Sequence, residues 1–383
     1  MMKHPMTLDD VWRTRRTYER FYRNVVGGSF VPPVSMVNNG YLHNLNASFD
    51  GILLRESNAT SLLKPQQSVN FGTIQPCVRN EDQRSQKNSP LHLSLFEIFG
   101  YSRLDFESMI ERQMAERTID EFVNFYTSYL GLDPALLRVY YFGGGTLREA
   151  SKGRIKNDQY VEPDCFSRQI WAGYGIENLV AEHSNETFLL HLGEPVREHH
   201  SGYRNDIFMR VGDTHFEIAT LNFISHQTQI RRGEIIGISP LPFYLREMAV
   251  GQERILAAIQ GSNDLYELPF VAPLVKAINT KIQDEETAKV FADALRVVHY
   301  VISDGWTYDR LQGVEHERHR HELNGYVRIL SECGLAVGRD GFLRLLRQNA
   351  ELQSGYPKLA SSIEQVVATV AEYSKRIKNI KKR

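Results

Sequence analysis

The chain has 383 residues, of which 42% are hydrophobic and 24% charged, the usual composition of a globular protein. This composition excludes a disordered, collagen-like or coiled-coil chain, and the length predicts two domains. No apolar run approaches the ~18 residues that a membrane helix needs, and the N-terminus lacks the apolar core of a signal peptide. Three cysteines are too few for a disulfide framework. We therefore expect a soluble, cytoplasmic protein with no membrane partner.

The charge is distributed unevenly along the chain. Six of the last nine residues, 375–383, are Lys or Arg, and without them the remainder carries a net charge of −7. A basic tail on an acidic body could contact phosphates. It could equally be a solvated helix end, where cations interact favourably with the helix dipole.

The first third of the chain contains two predicted helices. Hydrophobic periodicity indicates an amphipathic helix over residues 8–26, and residues 28–75 are typical of short strands joined by loops. A second helix is expected to begin at Ser102, because Ser102 and Asp105 have the spacing of a capping box. Its apolar positions recur at helical spacing until Gly131.

Strand signals dominate the middle of the chain and helical signals dominate its end. Residues 136–142 and much of 187–243 favour strands. After Gly251 the helical patterns cover 252–260, 285–303, 322–333, 340–350 and 357–380. The sequence therefore predicts an α+β domain over residues 1–262, followed by an all-helical domain over 263–383 that ends in the basic tail.

A predicted hairpin carries the first group of residues with chemical potential. Two strand-like segments, 75–82 and 92–100, are joined by a polar loop, which is typical of an antiparallel hairpin. Such a hairpin brings together a cation, a carboxylate, an imidazole and an aromatic ring. These groups could bind a nucleotide through its phosphate and its base. The residues concerned are Arg79, Glu81, His92 and Phe96.

A second candidate segment is a strand that turns at Gly251 into a helix with Arg254 in its first turn. The glycine permits a close backbone approach, and an arginine in this position can reach a polyphosphate. Each segment taken alone is a weak signal, since an isolated Arg-x-Glu is usually a surface ion pair. Their order and spacing together are more specific.

These segments resemble the class II aminoacyl-tRNA synthetases. Arg79-x-Glu81 followed by His92-x-x-x-Phe96 resembles motif 2 of that class, and Gly251-x-Glu253-Arg254 resembles motif 3. Within the class the chain is most similar to alanyl-tRNA synthetase. The segments that carry this closer similarity are 77–79, 95–100, 216–218 and 251–255, with 294–296, 302–305 and 325–327 in the helical part. The resemblance implies an antiparallel sheet flanked by helices and followed by a helical domain, with no counterpart of the family's editing and C-terminal domains.

By this resemblance, ATP would bind at the two motifs. The α-phosphate would be held by an arginine that also bridges the amino acid carboxylate, and the adenine would be sandwiched between a phenylalanine and a second arginine. A histidine would contact the outer phosphates, and a glutamate would accept from the adenine amine. These roles fall to Arg79, Phe96, Arg254, His92 and Glu81 respectively.

The resemblance also implies sites for Mg²⁺ and for the amino acid. Asp206 and Glu217, acids on neighbouring strand-like segments, are the candidate Mg²⁺ ligands, with Glu217 also in the ATP site. Glu247 corresponds to the family's amine-binding Asp and is one methylene longer. Ala219 and Thr220 replace a Trp and an Asn of the family and would alter the amino acid pocket.

The expected function is therefore ATP-dependent formation of an aminoacyl-adenylate, with transfer of the acyl group to tRNA or to another acceptor. The helix after residue 327 has fewer arginines than in the family, which weakens the expectation of tRNA binding. The alternative is a catalytically degenerate relative that binds an amino acid or a nucleotide as a sensor. Retention of the five residues of the two motifs argues against this alternative.

Overall fold

A computed structural model describes residues 6–38, 41–42, 50–58, 64–79, 90–106, 111–190, 200–232, 234–306, 314–353 and 355–380. The helices are α1 Leu8–Phe21, α2 Asp50–Glu56, α3 Glu111–Asn124, α4 Leu147–Ala150, α5 Cys165–Gly173, α6 Gln252–Gln260, α7 Ala272–Ile282, α8 Glu285–Ser303, α9 Val314–Leu352 and α10 Lys358–Ile380. The strands are β1 Ser29–Phe30, β2 Val37–Asn38, β3 Tyr41–Leu42, β4 Val69–Val78, β5 Leu95–Asp105, β6 Leu137–Phe142, β7 Gly145–Thr146, β8 Tyr160–Val161, β9 Leu179–Glu182, β10 Phe188–Leu189, β11 His200–Val211, β12 Thr214–Arg231 and β13 Glu234–Gly251.

A large, mainly antiparallel sheet organises the first part of the chain. Its strand order is β1-β4-β5-β13-β12-β11-β6-β9, with β10 beside β11. Only the outer pairs β1–β4 and β6–β9 are parallel among the described strands. Helices α1 and α3 cover one face, where their aromatic side chains pack against strand residues such as Phe99 and Val139 in a continuous core. The expected α+β architecture, followed by a helical region, is confirmed.

The first helix forms where the sequence predicts it. Thr7 and Asp10 make a capping box, in which the Thr7 hydroxyl oxygen accepts from the Asp10 backbone N–H and the Asp10 carboxylate accepts from the Thr7 N–H. A turn of π-helix, Tyr22–Val26, completes the predicted segment. Its apolar stripe, which includes Tyr18 and Phe21, is buried against the sheet.

The prediction that the second helix begins at Ser102 is wrong. Residues through Asp105 continue β5, and the described part of the following helix begins at Glu111. Strand β5 lies between β4 and β13, so both of its edges are paired, with Ser102 opposite Phe71 and Glu247. Pairing on both sides stabilises the extended form, because each backbone group finds a partner in the sheet.

The helical region packs around its own core and also against the sheet region. Helices α7 to α10 share a buried cluster that reaches Val11, Val78 and Leu95 in the first part of the chain. The two predicted helices 322–333 and 340–350 both lie within α9, which is interrupted at Gly338: the backbone there is not helical (φ 71°, ψ 164°), and glycine adopts this positive φ at little cost. Among the described helices, none is both long and apolar enough to cross a lipid bilayer.

Candidate active site

The predicted hairpin forms and brings an arginine onto an aromatic ring. Strands β4 and β5 pair antiparallel from Val69 opposite Leu104 to Val78 opposite Leu95. Arg79 follows immediately, and its backbone N–H donates to the Ser94 carbonyl oxygen over 2.9 Å. The Arg79 guanidinium carbon lies 5.2 Å from the centroid of the Phe96 ring. A cation and an aromatic face are therefore available side by side.

The second motif lies on the same cavity. Strand β13 ends at Gly251, which is the N-cap of α6, and Arg254 follows in the first turn of that helix. The Arg254 Nη1 donates to the Glu217 carbonyl oxygen over 2.9 Å and lies 3.4 Å from Glu217 Oε2. Arg254 thus connects the first turn of α6, just after the end of β13, to the beginning of β12.

An open cavity of about 510 Å³ joins the two motifs. Its lining residues are Arg79, Leu93, Phe96, Ile98, Glu217, Ile218, Ala219, Thr220, Ala249, Gly251, Glu253, Arg254 and Leu265. His92 is half-buried next to Leu93 of this lining. Glu81 lies outside the residues that the structure describes.

The two expected metal ligands are brought together by Thr220. Its hydroxyl oxygen lies 3.2 Å from Asp206 Oδ1 and 3.0 Å from Glu217 Oε1. Arg204 contacts both acids: its Nε donates to Asp206 Oδ1 over 2.6 Å, and its Nη2 lies 3.7 Å from Glu217 Oε1. Burial raises the pKa of Asp206 to about 6, although Arg204 opposes this shift.

These acids fit a divalent cation by the chemistry of their oxygens. Within the described residues no group of three or more His, Cys, Asp and Glu side chains could hold a metal ion. Mg²⁺ is usually held by one or two carboxylates together with substrate phosphates. Asp206 and Glu217 therefore fit a cation that arrives with a phosphate-bearing ligand rather than one enclosed by protein alone.

A β-bulge decides which side chains of β12 face the cavity. The register between β11 and β12 shifts between Ile207 and Phe208, so that Ala219 lies opposite Ile207 and Glu217 opposite Phe208. The extra residue lets Glu217 and Thr220, three positions apart, share a face of the sheet. Ala219 borders the cavity, but its methyl group belongs to the buried core on the other side of the sheet.

Glu247 lies further along the same sheet face. It accepts from Ser102 Oγ over 2.7 Å and from Asn222 Nδ2 over 3.2 Å. The Asn222 Oδ1 is buried and has no hydrogen-bond partner in the described part of the chain. A carboxylate beside a free amide oxygen suits an ammonium group, which donates three hydrogen bonds. Sequence reasoning did not single out Ser102 or Asn222 for this position.

Arg204 was also missed from the sequence. Arg204 lies two residues before Asp206, so a strand places both side chains on the same face. This spacing was the signal available in the sequence. Around the cavity, the arginines at 79, 204 and 254 stand against the acids at 206, 217 and 253, so these charged groups sum to zero when all are ionised. Two of the arginines and the Phe96 ring line the cavity itself, which suits a ligand that combines anionic groups with an aromatic ring.

Comparison with curated proteins relates part of the chain to one family. An alanine–tRNA ligase of Bordetella avium is 29% identical over 172 residues, which is 43% of this chain and 19% of the ligase. The corresponding ligase of Methylobacillus flagellatus is 29% identical over 172 residues, covering 43% of this chain and 18% of the ligase. The resemblance to alanyl-tRNA synthetases is confirmed. The matched region spans about a fifth of the length of each of these synthetases.

No protein-family model matches the chain. Among solved structures, a pyrrolysyl-tRNA synthetase from Desulfitobacterium hafniense has a TM-score of 0.34 at 10% identity, covering 67% of this chain and 71% of that one. A threonyl-tRNA synthetase structure from Aeropyrum pernix has a TM-score of 0.39 at 12% identity, covering 75% of this chain and 68% of that one. Structural likenesses at this level support no inference about the activity of this synthetase-like chain.

Proposed function

We propose that this chain activates an amino acid with ATP, forming an aminoacyl-adenylate and releasing pyrophosphate. The observation that carries the proposal is the convergence of Arg79, Phe96 and Arg254 on one cavity from separate parts of the chain. The segments that resemble synthetase motifs 2 and 3 meet there, as this reaction requires. The relatedness to alanine–tRNA ligases supports the same chemistry.

The proposed ATP site uses the two arginines and the ring. A carboxylate oxygen of the amino acid attacks the α-phosphorus, and the bond from that phosphorus to the bridging oxygen of pyrophosphate breaks. Arg79 would bind the α-phosphate and the attacking carboxylate, because a guanidinium donates several charge-assisted hydrogen bonds to such oxygens. Phe96 and Arg254 would hold the adenine. Glu81, Glu217 and His92 would provide the further ATP contacts that the family resemblance implies.

Mg²⁺ held by Asp206 and Glu217 would neutralise phosphate charge beside these arginines. On the other side of the reacting atoms, Glu247 and Asn222 would bind the α-ammonium group of the amino acid. Ser102 fixes the Glu247 carboxylate by donating to it, and so orients the group that receives the substrate.

The side chain of the amino acid substrate would contact the protein near Thr220, at the position where the family has Asn. Ala219 contributes indirectly, because its methyl group lies in the core beneath the pocket. We propose a substrate other than alanine, or loose selectivity. Two substrates that differ by one methylene group differ in binding free energy by only ~1–3 kcal/mol in such a pocket. A preference for alanine of more than about a hundredfold would contradict this part of the proposal.

The acyl acceptor would be a tRNA or another nucleophile such as an amine or a carrier. Pyrophosphate exchange across a panel of amino acids, with and without tRNA, tests the activity. Arg79→Ala and Arg254→Met should each abolish exchange, whereas Arg168→Met, an exposed arginine on α5, should leave it unchanged. Wild-type exchange in either site variant would reject this site.

A sensor without catalysis is the second candidate. It is favoured by Arg204, which pairs with both acids and so competes with a metal ion for them. Tight binding of ATP and an amino acid, with no exchange for any amino acid, would decide for the sensor.

A further inference from the structure

A second cavity lies where the sheet region meets the helical region. It is open to solvent, with about 490 Å³ of empty space that includes part of the solvent at its mouth, and it is bounded by α1, the start of β5, the start of α6, α8 and the segment after α9. Its walls are largely apolar and include Trp12, Phe270 and Tyr356. Phe96 and Glu253 line both this cavity and the proposed ATP site. The two spaces are therefore neighbours that share a wall.

Three buried polar side chains on this second cavity have unused hydrogen-bonding groups. Glu97, Gln252 and Arg296 are only 6%, 2% and 2% exposed. In the part of the chain that the structure describes, Glu97 Oε1, Gln252 Oε1 and the Nε and Nη1 of Arg296 have no hydrogen-bond partner. Buried polar groups are nearly always paired, because an unpaired one costs free energy.

The neighbouring charges do not satisfy these atoms. Arg15 binds the other carboxylate oxygen of Glu97, and its guanidinium carbon lies 5.0 Å from the Trp12 ring centroid. Arg296 Nη1 is 3.8 Å from Asp293 Oδ1, which is an ion pair but too long for a hydrogen bond. The cavity thus presents two free acceptors, Glu97 and Gln252, together with two free donors on Arg296.

We propose that this cavity binds a small zwitterion, an amino acid with an apolar or aromatic side chain. The ammonium group would donate to Glu97 Oε1 and Gln252 Oε1, and the carboxylate would accept from Arg296. The side chain would pack against Trp12 and Tyr356. An amine alone would leave the Arg296 donors unpaired, and a carboxylate alone would leave both acceptors unpaired. Only a ligand with both groups satisfies all three residues and leaves the net charge unchanged.

This site is distinct from the proposed substrate site. Glu247 and Asn222 lie on the sheet face that bears the ATP cavity, and neither lines the second cavity. The site does not depend on adenylate formation, and it would remain if the chain were a sensor. Its ligand chemistry resembles that of the proposed substrate, so the experiment must separate the two sites.

Isothermal titration of the full chain tests the site, with L-phenylalanine and L-leucine as probes. Phenethylamine and 3-phenylpropionate, which each lack one charge of phenylalanine, test whether both groups are needed. The variant Gln252→Met removes one acceptor at nearly constant volume. Because that acceptor is unpaired, the variant should fold with a Tm at or above that of the wild type. Glu247→Gln serves as the matched variant in the substrate site.

We expect at least one zwitterion to bind wild type and Glu247→Gln with similar affinity, and the double variant Glu247→Gln/Gln252→Met at least tenfold more weakly, because the double variant is altered in both sites. Phenethylamine and 3-phenylpropionate should each bind at least tenfold more weakly than phenylalanine in Glu247→Gln. The proposal is overturned if neither zwitterion binds Glu247→Gln, or if the double variant Glu247→Gln/Gln252→Met binds them as Glu247→Gln does. It is also overturned if phenethylamine or 3-phenylpropionate binds as tightly as phenylalanine.

Discussion

Replacing Arg204 by Met should convert the Asp206–Glu217 pair into a tighter site for divalent cations. The guanidinium lies within 2.6 Å of Asp206 and 3.7 Å of Glu217, so it neutralises the pair from inside the protein. Methionine retains much of the aliphatic volume and removes the charge. The change therefore leaves two converging carboxylates beside the Thr220 hydroxyl, with Arg254 still in contact with Glu217 but no arginine between the two acids.

The size of the effect follows from the geometry. Two unit charges about 4 Å apart interact by ~4 kcal/mol at an effective dielectric constant of ~20. The Arg204 side chain is 23% exposed, which screens part of this interaction. A net gain of roughly 1.4–2.8 kcal/mol for a bound dication corresponds to a 10- to 100-fold lower Kd.

Titration calorimetry with MnCl₂ and with MgCl₂, in the absence of nucleotide, measures the effect. The titration should be made at pH 8, because burial raises the pKa of Asp206 to about 6 and the loss of Arg204, which holds this pKa down, raises it further in the variant. At lower pH the proton on Asp206 would compete with the metal. Arg210→Met is the matched control, since Arg210 is exposed on the same strand. Unchanged affinity in Arg204→Met, or an equal gain in the control, would refute the electrostatic role of Arg204.

Three further predictions concern stability and nucleic-acid binding. Arg246→Met should lower the free energy of unfolding by ~3–5 kcal/mol, because it removes the buried arginine that donates to both carboxylate oxygens of Glu121. Urea denaturation measures this change, and an effect below about 1 kcal/mol would contradict the prediction. Burial raises the pKa of Glu253 from 4.5 to about 7, so the neutral form is favoured by folding, and this contribution to stability is lost as pH rises from about 4.5 through 7. In Glu253→Gln the free energy of unfolding should therefore fall less between pH 5 and 8 than in the wild type, by about 3 kcal/mol at most. An unchanged dependence of the unfolding free energy on pH would contradict the raised pKa. Deleting residues 375–383 should weaken a salt-sensitive tRNA interaction in filter-binding assays and leave pyrophosphate exchange unchanged; undiminished binding at physiological salt would mean that the helical region alone binds tRNA.

The parts of the fold that depend on local patterns were predictable from the sequence. The first helix lies within the predicted range 8–26, and the α6 helix follows the strand turn at Gly251, both as expected. The failure at Ser102 shows the limit of such patterns. Ser-x-x-Asp is compatible with a helix start, but pairing with β4 and β13 on both edges outweighs this local preference.

The site residues that belong to sequence motifs could be predicted from the sequence. Those that are brought together only by the pairing of distant strands could not. The resemblance to synthetase motifs singled out Arg79, Phe96 and Arg254, which line one cavity. Arg204 and Asn222 lie opposite each other only through the register of β11 and β12. Asn222 has no local signal that separates it from an ordinary polar strand residue, because half of a strand's side chains normally face away from the core. For Arg204 the one local signal is its spacing of two from Asp206, which gives a shared face but not the contact with Glu217.

The bulge between β11 and β12 also explains why the amino acid pocket could be predicted only in part. A strict period of two would place Glu217 and Ala219 on one face and Thr220 on the other. Because of the register shift, Thr220 instead lies on the same face of the sheet as Glu217, and the Ala219 side chain lies in the core. The change from a family Trp to Ala219 therefore alters the volume beneath the pocket, whereas the change from Asn to Thr220 alters its polar surface. Selectivity in this chain should accordingly respond more strongly to substitution at Thr220, whose hydroxyl already bridges the two acids, than to a conservative change at Ala219.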